Sequence, residues 1–156
     1  QGAIMYQYYK GILIREGTEG IPSQQLRELY EKMDWCSPSM PQWQNEKFSI
    51  ALRNSAWAFT VWDKEMLAGM VRVVSDKVMV ASLQDLMLLP EYRGKGLGKF
   101  LVKLCRQKLP DGNWSVRTTP ENYDFYIKCG FSMPDANNAT MEYDGYILSK
   151  TRGDRK

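Results

Sequence analysis

The chain contains no histidine, and only 3 of its 156 residues are cysteines. Without histidine, the Ser–His and Cys–His pairs that activate a catalytic nucleophile are excluded. Cys36, Cys105 and Cys129 lack the close paired spacing of zinc ligands, so we expect no metal site. So few cysteines also favour a reduced, cytoplasmic setting.

Long apolar runs and a strong net charge are missing as well. No stretch reaches the ~20 apolar residues that span a bilayer, and no secretory signal pattern opens the chain. The net charge of +3 is too small to indicate nucleic acid as the main partner. We therefore expect a protein that binds neither a membrane nor nucleic acid.

What is present is the composition of an ordinary globular protein, with 44% hydrophobic and 25% charged residues. A chain of 156 residues without linkers or repeats indicates one domain, which we assign to residues 5–150. Residues 1–4 look like a leader left by cloning ahead of a native start at Met5. Residues 151–156 form a basic tail that we expect to be frayed.

Residues 93–98, with the sequence Arg-Gly-Lys-Gly-Leu-Gly, are the most informative segment and are called the anion loop below. The apolar run before them predicts a strand, and apolar residues at helical spacing follow them as far as about Lys108. Backbone N–H groups and the positive end of the helix dipole meet at such a turn, where glycines let an anion approach. Arg93, Lys95 and Lys99 add positive charge. The segment is predicted to bind phosphate.

Two familiar phosphate-binding motifs do not match the anion loop. A nucleoside-triphosphate loop needs Ser or Thr after its Gly-Lys pair, and here Gly96 follows Lys95. A dinucleotide-binding fingerprint needs the spacing Gly-x-Gly-x-x-Gly early in the chain. The glycines here are spaced Gly-x-Gly-x-Gly and lie past mid-chain.

The remaining patterns predict alternating strands and helices. Short polar turns make the middle strands an antiparallel meander. Strands are expected at 12–14, 56–62, 66–74, 78–89 and 114–117, and at Phe131 and 141–148. Helices are expected around 26–33, at 44–53, from 97 to about 108, and at 121–129.

Two segments resemble a known family. The Arg-x-x-Gly-x-Gly pattern of the anion loop resembles the pyrophosphate loop of the GNAT superfamily of acetyl-CoA-dependent N-acetyltransferases. Residues 123–131, YDFYIKCGF, resemble that family's Phe-Tyr-x-x-x-Gly-Phe motif. The resemblance implies an α/β (α+β) fold. Its mixed, mostly antiparallel sheet of about six or seven strands would be flanked by about four helices and splayed at the acyl-CoA site.

The resemblance implies an activity as well: transfer of an acetyl group from acetyl-CoA to a primary amine, by direct attack in a ternary complex and without a metal. The acceptor is not identified, since a polyamine, an antibiotic and a protein amine all fit. A non-catalytic acyl-CoA-binding or sensor domain of the same fold is the alternative. A homodimer is common among relatives, and the sequence does not decide on one.

The resemblance also assigns residues that bind the donor. The strand ahead of the anion loop would bind the pantetheine arm through the backbone of Leu86, Met87 and Leu88, with the Leu88 N–H polarising the thioester carbonyl. Thr119 and Asn122 stand where relatives contact the cofactor arm, although Thr119 is equally suited to capping the next helix. The pyrophosphate would lie on Arg93, Gly94, Lys95, Gly96, Leu97, Gly98 and Lys99.

Tyr126 aligns with the tyrosine that protonates the departing coenzyme A thiolate in many members of the family. Its ordinary pKa of ~10 lies above that of a thiol, so its proton is present at neutral pH. The acceptor would lie near the last hairpin and the helical N-terminal part. Aromatic side chains there either line an acceptor groove or simply cover the sheet: Tyr30, Trp35 and Trp43.

The general base is the least defined part of the site. Many relatives carry Glu-Asp just before the cofactor strand, and here the pair is Gln84-Asp85. Gln84 cannot accept a proton, and strand alternation places it on the face of Leu86 and Leu88, with Asp85 on the opposite face. The base is left open between Asp85, a water held by Gln84, an amine that arrives neutral, and a carboxylate of the last hairpin, Glu142 or Asp144. Asp85 is equally suited to a structural role, in which it caps a neighbouring loop.

Overall fold

A computed structural model gives the structure of residues 5–143, which contain six strands and four α-helices. The strands form one sheet in the order β1 to β6, antiparallel throughout except for the parallel pair β5 and β6. The predicted mixed, mostly antiparallel sheet is confirmed. In chain order the elements are β1 (Met5–Tyr9), β2 (Ile12–Glu16), α1 (Ser23–Lys32), α2 (Asn45–Arg53), β3 (Trp57–Asp63), β4 (Met66–Ser75), β5 (Val80–Leu88), α3 (Leu97–Arg106), β6 (Asn113–Val116) and α4 (Tyr123–Lys128).

Helices cover both faces of the sheet, and each face has its own apolar core. α3 buries Leu97, Leu101 and Cys105, which are spaced four residues apart and so line one side of the helix. α1 and α2 cover the opposite face with side chains such as Leu26 and Leu52. We call these the α3 face and the α1/α2 face.

The first strand, β1, was not predicted from the sequence. Its side chains Tyr6 and Tyr8 are 60% and 72% exposed, so it lacks the apolar alternation that indicates a half-buried strand. Pairing with β2 holds it in the sheet instead. Lys10 and Gly11 form the connecting turn, both with positive φ. Such turns favour Asn-Gly or Asp-Gly, so the Lys-Gly pair gave little signal.

The end of the chain also differs from the prediction. Phe131 does not lie in a strand, and neither do residues 141–143. The predicted strand at Phe131 is therefore wrong, because the chain leaves α4 as an irregular segment. The remainder of the predicted strand at 141–148, the tail at 151–156 and the leader at 1–4 lie outside the described residues.

A β-bulge interrupts β5 close to the anion loop. Met70 of β4 pairs with Met87, while Arg72 pairs with Gln84, so three steps along β5 match two along β4. Asp85 has φ +51°, a left-handed conformation that aspartate tolerates better than most residues. The bulge therefore inserts one extra residue into β5.

The extra residue changes which side chains share a face. Leu83 packs in the α3 core before the bulge, and Leu86 and Leu88 pack there after it. Unbroken alternation would place Leu83 and Leu86 on opposite faces. The prediction that Gln84 shares a face with Leu86 and Leu88 is therefore wrong. Gln84, next to Leu83, and Asp85, bonded to α1, both belong to the α1/α2 face.

Candidate active site

The outer edge of β5 is open along its second half. β6 pairs with β5 only between Val80 and Leu83, so within residues 5–143 the rest of β5 has no strand neighbour on that side. Leu89 N–H donates to the Ala68 carbonyl of β4 at 2.9 Å. Because antiparallel pairs alternate in direction, Leu88 turns its N–H and its carbonyl toward the open edge. The sheet is thus splayed where the strand meets the anion loop.

At Leu88 the backbone carbonyl is hydrogen-bonded, and the backbone N–H is free within residues 5–143. The carbonyl accepts a hydrogen bond from Arg93 Nε at 2.8 Å, while the same alternation leaves the N–H facing the gap. Met87 is paired with Met70 of β4, and its side chain is fully buried on the α1/α2 face. Leu86 and Leu88, rather than Met87, therefore present their backbone groups at the open edge.

The anion loop directly follows this edge and presents unpaired donors. From Gly94 to Lys99, no backbone N–H donates to a protein acceptor within the described part of the chain. Gly96 caps the N-terminus of α3 at φ +82°. A row of free N–H groups at the positive end of a helix is a binding site for a negatively charged oxygen group.

The three cations in and next to the anion loop, Arg93, Lys95 and Lys99, have different roles in the structure. Arg93 bonds the Leu88 carbonyl and places its terminal nitrogen 3.4 Å from the Met33 sulfur at the end of α1. It therefore ties the loop to β5 and α1. Lys95 and Lys99 are exposed, and neither is in an ion pair among the residues described. Their charge remains available to an anion.

A cavity of about 560 Å³ lies beside the loop along the outer side of α3. Its wall includes Gly96 and four cationic side chains, Lys99, Lys103, Arg106 and Lys128. Like charges gathered around one cavity raise the positive potential over the helix N-terminus. The arrangement favours a ligand that carries several negative charges.

Tyr126 lies on α4, which packs against the first turn of α3. A Cβ added at Gly98 would lie 3.2 Å from the ring of Phe125, so a larger residue there would crowd the contact between the two helices. The Tyr126 ring meets Phe125 and Phe131 edge-on. Burial, and secondarily the charge of the Cys129 thiolate, raises the pKa of Tyr126 to about 12.

Asp85 forms a polar cluster on the α1/α2 face. Its Oδ2 accepts hydrogen bonds from Tyr30 Oη at 2.5 Å and from Arg72 Nε at 2.6 Å. Arg72 also contacts Ser55 Oγ at 3.4 Å. Burial is the main reason that the pKa of Tyr30 is raised, and the Asp85 charge raises it further. Arg72 of the neighbouring strand β4 is therefore a partner of Asp85 that no sequence motif indicated.

The other polar candidates have local partners. Gln84 Nε2 donates to Ser82 Oγ at 2.8 Å. Glu142 accepts from Arg117 at 2.5 Å between exposed side chains, and Asp144 lies outside the described residues. None of these contacts places a carboxylate at the Leu88 N–H.

Thr119 and Asn122 lie at the two ends of the short turn that leads into α4. Asn122 N–H donates to the Thr119 carbonyl at 2.9 Å, and Asn122 Nδ2 lies 3.5 Å from Thr119 Oγ1. The Thr119 side chain makes no capping hydrogen bond to the turn or helix that follows. Its hydroxyl therefore does not serve the capping role that was the alternative reading of this residue.

Within residues 5–143, no group of three or more Cys, Asp or Glu side chains is placed to hold a metal ion. The helices of the same region are all too short or too polar to cross a bilayer.

Comparison with known proteins fits this geometry. The family model of the acetyltransferase (GNAT) domain matches residues 54–133, which include β3 to β6, the anion loop and α4. A curated relative, the chloroplastic GCN5-related N-acetyltransferase 2 of Arabidopsis thaliana, is 32% identical over 143 residues. That match covers 77% of this chain and 53% of the relative, so the chain spans about half the relative's length.

Solved structures share the fold. A GNAT-family acetyltransferase of Streptococcus pneumoniae superposes with a TM-score of 0.72 at 24% identity, covering 86% of this chain and 98% of that one. The aminoglycoside N-acetyltransferase AAC(6')-Iy in complex with CoA gives a TM-score of 0.59 at 16% identity, covering 86% and 95%. The matched family model extends over more than half of the residues. The chain therefore belongs to the GNAT acetyltransferase family.

Proposed function

We propose that this domain transfers an acetyl group from acetyl-CoA to a primary amine by direct attack in a ternary complex. The proposal is based on one observation: two sets of free backbone N–H donors follow each other along the chain. The Leu88 N–H at the open edge of β5 is followed along the chain by the unpaired N–H groups of residues 94–99. Acetyl-CoA has the matching order of parts: a thioester, an arm with two amides, and a pyrophosphate.

Each part of the donor would meet a group suited to it. The pantetheine amides would pair, as a neighbouring strand would, with the free backbone groups of this edge other than the Leu88 N–H, which faces the thioester, and the Leu88 carbonyl, which Arg93 holds. The pyrophosphate would accept hydrogen bonds from the anion loop at the N-terminus of α3. Lys95, Lys99 and the cationic wall of the adjoining cavity would attract the donor's negative charges.

The reaction needs charge stabilisation at two atoms. The amine nitrogen bonds to the carbonyl carbon, the carbonyl oxygen becomes negative, and the Leu88 N–H donates to that oxygen. The C–S bond then breaks and sulfur leaves as a thiolate, which gains the proton that the amine loses. Tyr126, which is protonated at neutral pH with a pKa of about 12, would donate a hydrogen bond to the leaving sulfur.

Asp85 is better placed to attract the amine than to deprotonate it. Its Oδ2 already accepts hydrogen bonds from Arg72 Nε at 2.6 Å and from Tyr30 Oη at 2.5 Å, so that oxygen is occupied. The carboxylate is thereby fixed on the α1/α2 face. It would draw a cationic amine toward the α1/α2 face, and the neutral fraction of that amine would attack.

A non-catalytic acyl-CoA-binding or sensor domain is the second candidate. The observation that favours it concerns Gln84 and Asp85, the two positions where many relatives carry a glutamate and an aspartate. Gln84 is bonded to Ser82, and Asp85 is held by Arg72 and Tyr30. Such a domain would bind coenzyme A without turnover.

An amine panel distinguishes the candidates. Coenzyme A release from acetyl-CoA is followed with polyamines, aminoglycosides and peptides bearing a free N-terminus or lysine, and coenzyme A binding is measured by calorimetry. We expect binding together with turnover of at least one amine. With that amine, Asp85→Asn should raise KM more than it lowers kcat, because it removes the attracting charge.

Gly96→Asp is the control for the donor site, since it places a carboxylate on the anion loop and should abolish coenzyme A binding. Gly20→Asp introduces the same charge at another glycine of positive φ (+76° against +82°), away from α3, and should leave binding intact. Binding without turnover of any amine would favour the sensor. Full binding by Gly96→Asp would rule out the donor site itself.

A further inference from the structure

The β1–β2 hairpin reaches across α3 and contacts the anion loop. Tyr9 Oη donates to the Lys95 carbonyl at 3.1 Å, and Lys10 Nζ donates to the same carbonyl at 3.0 Å. The Tyr9 ring stacks on Phe100 of α3 with 4.6 Å between ring centres. Lys10 Nζ also lies 5.3 Å from the centre of the Tyr9 ring. Two donors from one hairpin thus converge on a single carbonyl of the loop.

That carbonyl belongs to the peptide that carries the Gly96 N–H. A trans peptide is planar, and its C=O and N–H point in opposite directions. Holding the Lys95 carbonyl toward the hairpin therefore turns the Gly96 N–H away from it. Within residues 5–143 this N–H has no protein acceptor, so it is free for a ligand.

The orientation of this peptide needs a restraint, because glycine allows more than one. Gly96 has φ +82°, and glycine populates positive and negative φ about equally readily. The peptide between Lys95 and Gly96 can therefore rotate and present its carbonyl, rather than its N–H, to the anion. A carbonyl oxygen facing a pyrophosphate would repel it. Two hydrogen bonds to the carbonyl disfavour that rotation.

We infer that Tyr9 and Lys10 are positioning residues for the donor pyrophosphate, acting by fixing the Lys95–Gly96 peptide with its N–H toward the ligand. The inference rests on the proposed function, because it assumes that coenzyme A is the ligand of the anion loop. Both residues lie outside the segment matched by the family model, residues 54–133. They extend the site to the N-terminal hairpin.

The experiment measures coenzyme A affinity by calorimetry in matched variants. Tyr9→Phe removes only the hydroxyl and keeps the ring on Phe100, and Lys10→Met removes the second donor. Each should weaken binding about three- to ten-fold, the effect of losing one hydrogen bond. Lys10→Arg keeps a donor at that position and should restore most of the affinity.

Two control variants match these changes away from the loop. Tyr8→Phe alters the neighbouring tyrosine, which is 72% exposed. Lys64→Met alters a lysine in another strand-connecting turn with nearly the same φ, +55° against +49° for Lys10. Both should bind coenzyme A within two-fold of the original chain. The melting temperature without ligand should be nearly equal in all five variants, since exposed contacts contribute little to stability.

The NMR resonance of the Gly96 amide distinguishes a changed orientation of the Lys95–Gly96 peptide from a general loosening of the loop. In the original chain the Gly96 amide resonance should move on coenzyme A binding, and in Tyr9→Phe and Lys10→Met it should move less. Unchanged affinity in both variants would overturn the inference while leaving the proposed function intact. Equal weakening by Lys10→Met and Lys10→Arg would also overturn it. No binding by the original chain would instead reject the proposed function.

Discussion

At neutral pH the Tyr126 hydroxyl is protonated, as an ordinary tyrosine is, and burial raises its pKa further, to about 12. Transfer of that proton to a thiolate is uphill, since an ordinary thiol has a pKa of ~8.5. The hydroxyl is therefore suited to stabilise the leaving sulfur by a charge-assisted hydrogen bond. Tyr126→Phe should lower kcat about 10- to 100-fold, as expected for a lost hydrogen bond to a charged group. The measurement is steady-state kinetics with the amine identified by the panel.

Tyr123→Phe is the matched control, because it removes a hydroxyl from the same helix at a position without a role in the site. Coenzyme A affinity should be nearly the same in both variants and in the original chain, since the hydrogen bond forms only as the C–S bond breaks. A kcat in Tyr126→Phe equal to that of Tyr123→Phe would show that Tyr126 has no part in the chemical step.

Single residues also differ in how far their positions could be predicted from the sequence. The anion loop and Tyr126 could be singled out because glycine spacing and a local motif carry their signal. Alternation placed Asp85 correctly on the face opposite Leu86 and Leu88, but it misplaced Gln84, because the bulge breaks the regular strand between Leu83 and Leu86. Arg72 was missed because it lies on the neighbouring strand β4, and no motif links it to Asp85.

At the scale of elements, the β1–β2 hairpin and the anion loop meet at Gly96. A Cβ added at Gly96 would lie 2.7 Å from Tyr9 Oη, whereas one added at Gly94 would have no neighbour within 4 Å. Both glycines have similar positive φ, +82° and +75°. Gly94→Ala should therefore lose about 1–2 kcal/mol of stability from backbone strain alone. Gly96→Ala should lose more, because the hairpin must also move away.

The additional loss of stability in Gly96→Ala is due to the contact with Tyr9. It is measured by urea unfolding in a double-mutant cycle. In a Tyr9→Phe background the nearest remaining ring atom would be 3.8 Å from the new Cβ, so the gap between Gly96→Ala and Gly94→Ala should close. If Gly96→Ala is still less stable than Gly94→Ala in that background, the hairpin does not press on the loop.

The elements themselves were predictable to different degrees. The helices around Leu26 and Leu101 and the meander β3–β4–β5 follow apolar periodicity, which reports burial directly. β1 is an edge strand with exposed tyrosines, so its position is set by pairing with β2 rather than by burial. The contact between hairpin and loop joins residues 86 positions apart, and no local pattern encodes it.

At the scale of the whole molecule, Tyr30 joins α1, α2 and the sheet. Its ring stacks on Phe48 of α2 with 4.0 Å between centres, and its hydroxyl donates to Asp85 of β5. The side chain is only 6% exposed. Burial, with the Asp85 charge, raises the pKa of Tyr30 above its ordinary value of 10.0. In the folded state this phenol therefore keeps its proton at a pH where the unfolded chain loses it.

The sign of the pH dependence follows from that difference. Stability from the protonated Tyr30 is fully present below pH 10 and declines as pH rises above it, because the unfolded chain then binds fewer protons. The free energy of unfolding should fall by up to about 1.4 kcal/mol per pH unit from this group. Tyr30→Phe should be less stable at pH 8, having lost its bond to Asp85, but its stability should fall less steeply between pH 10 and 11. Urea unfolding at these pH values gives both slopes, with Tyr8→Phe as the exposed control; equal slopes in Tyr30→Phe and the original chain would mean that the phenol proton is not held by the fold.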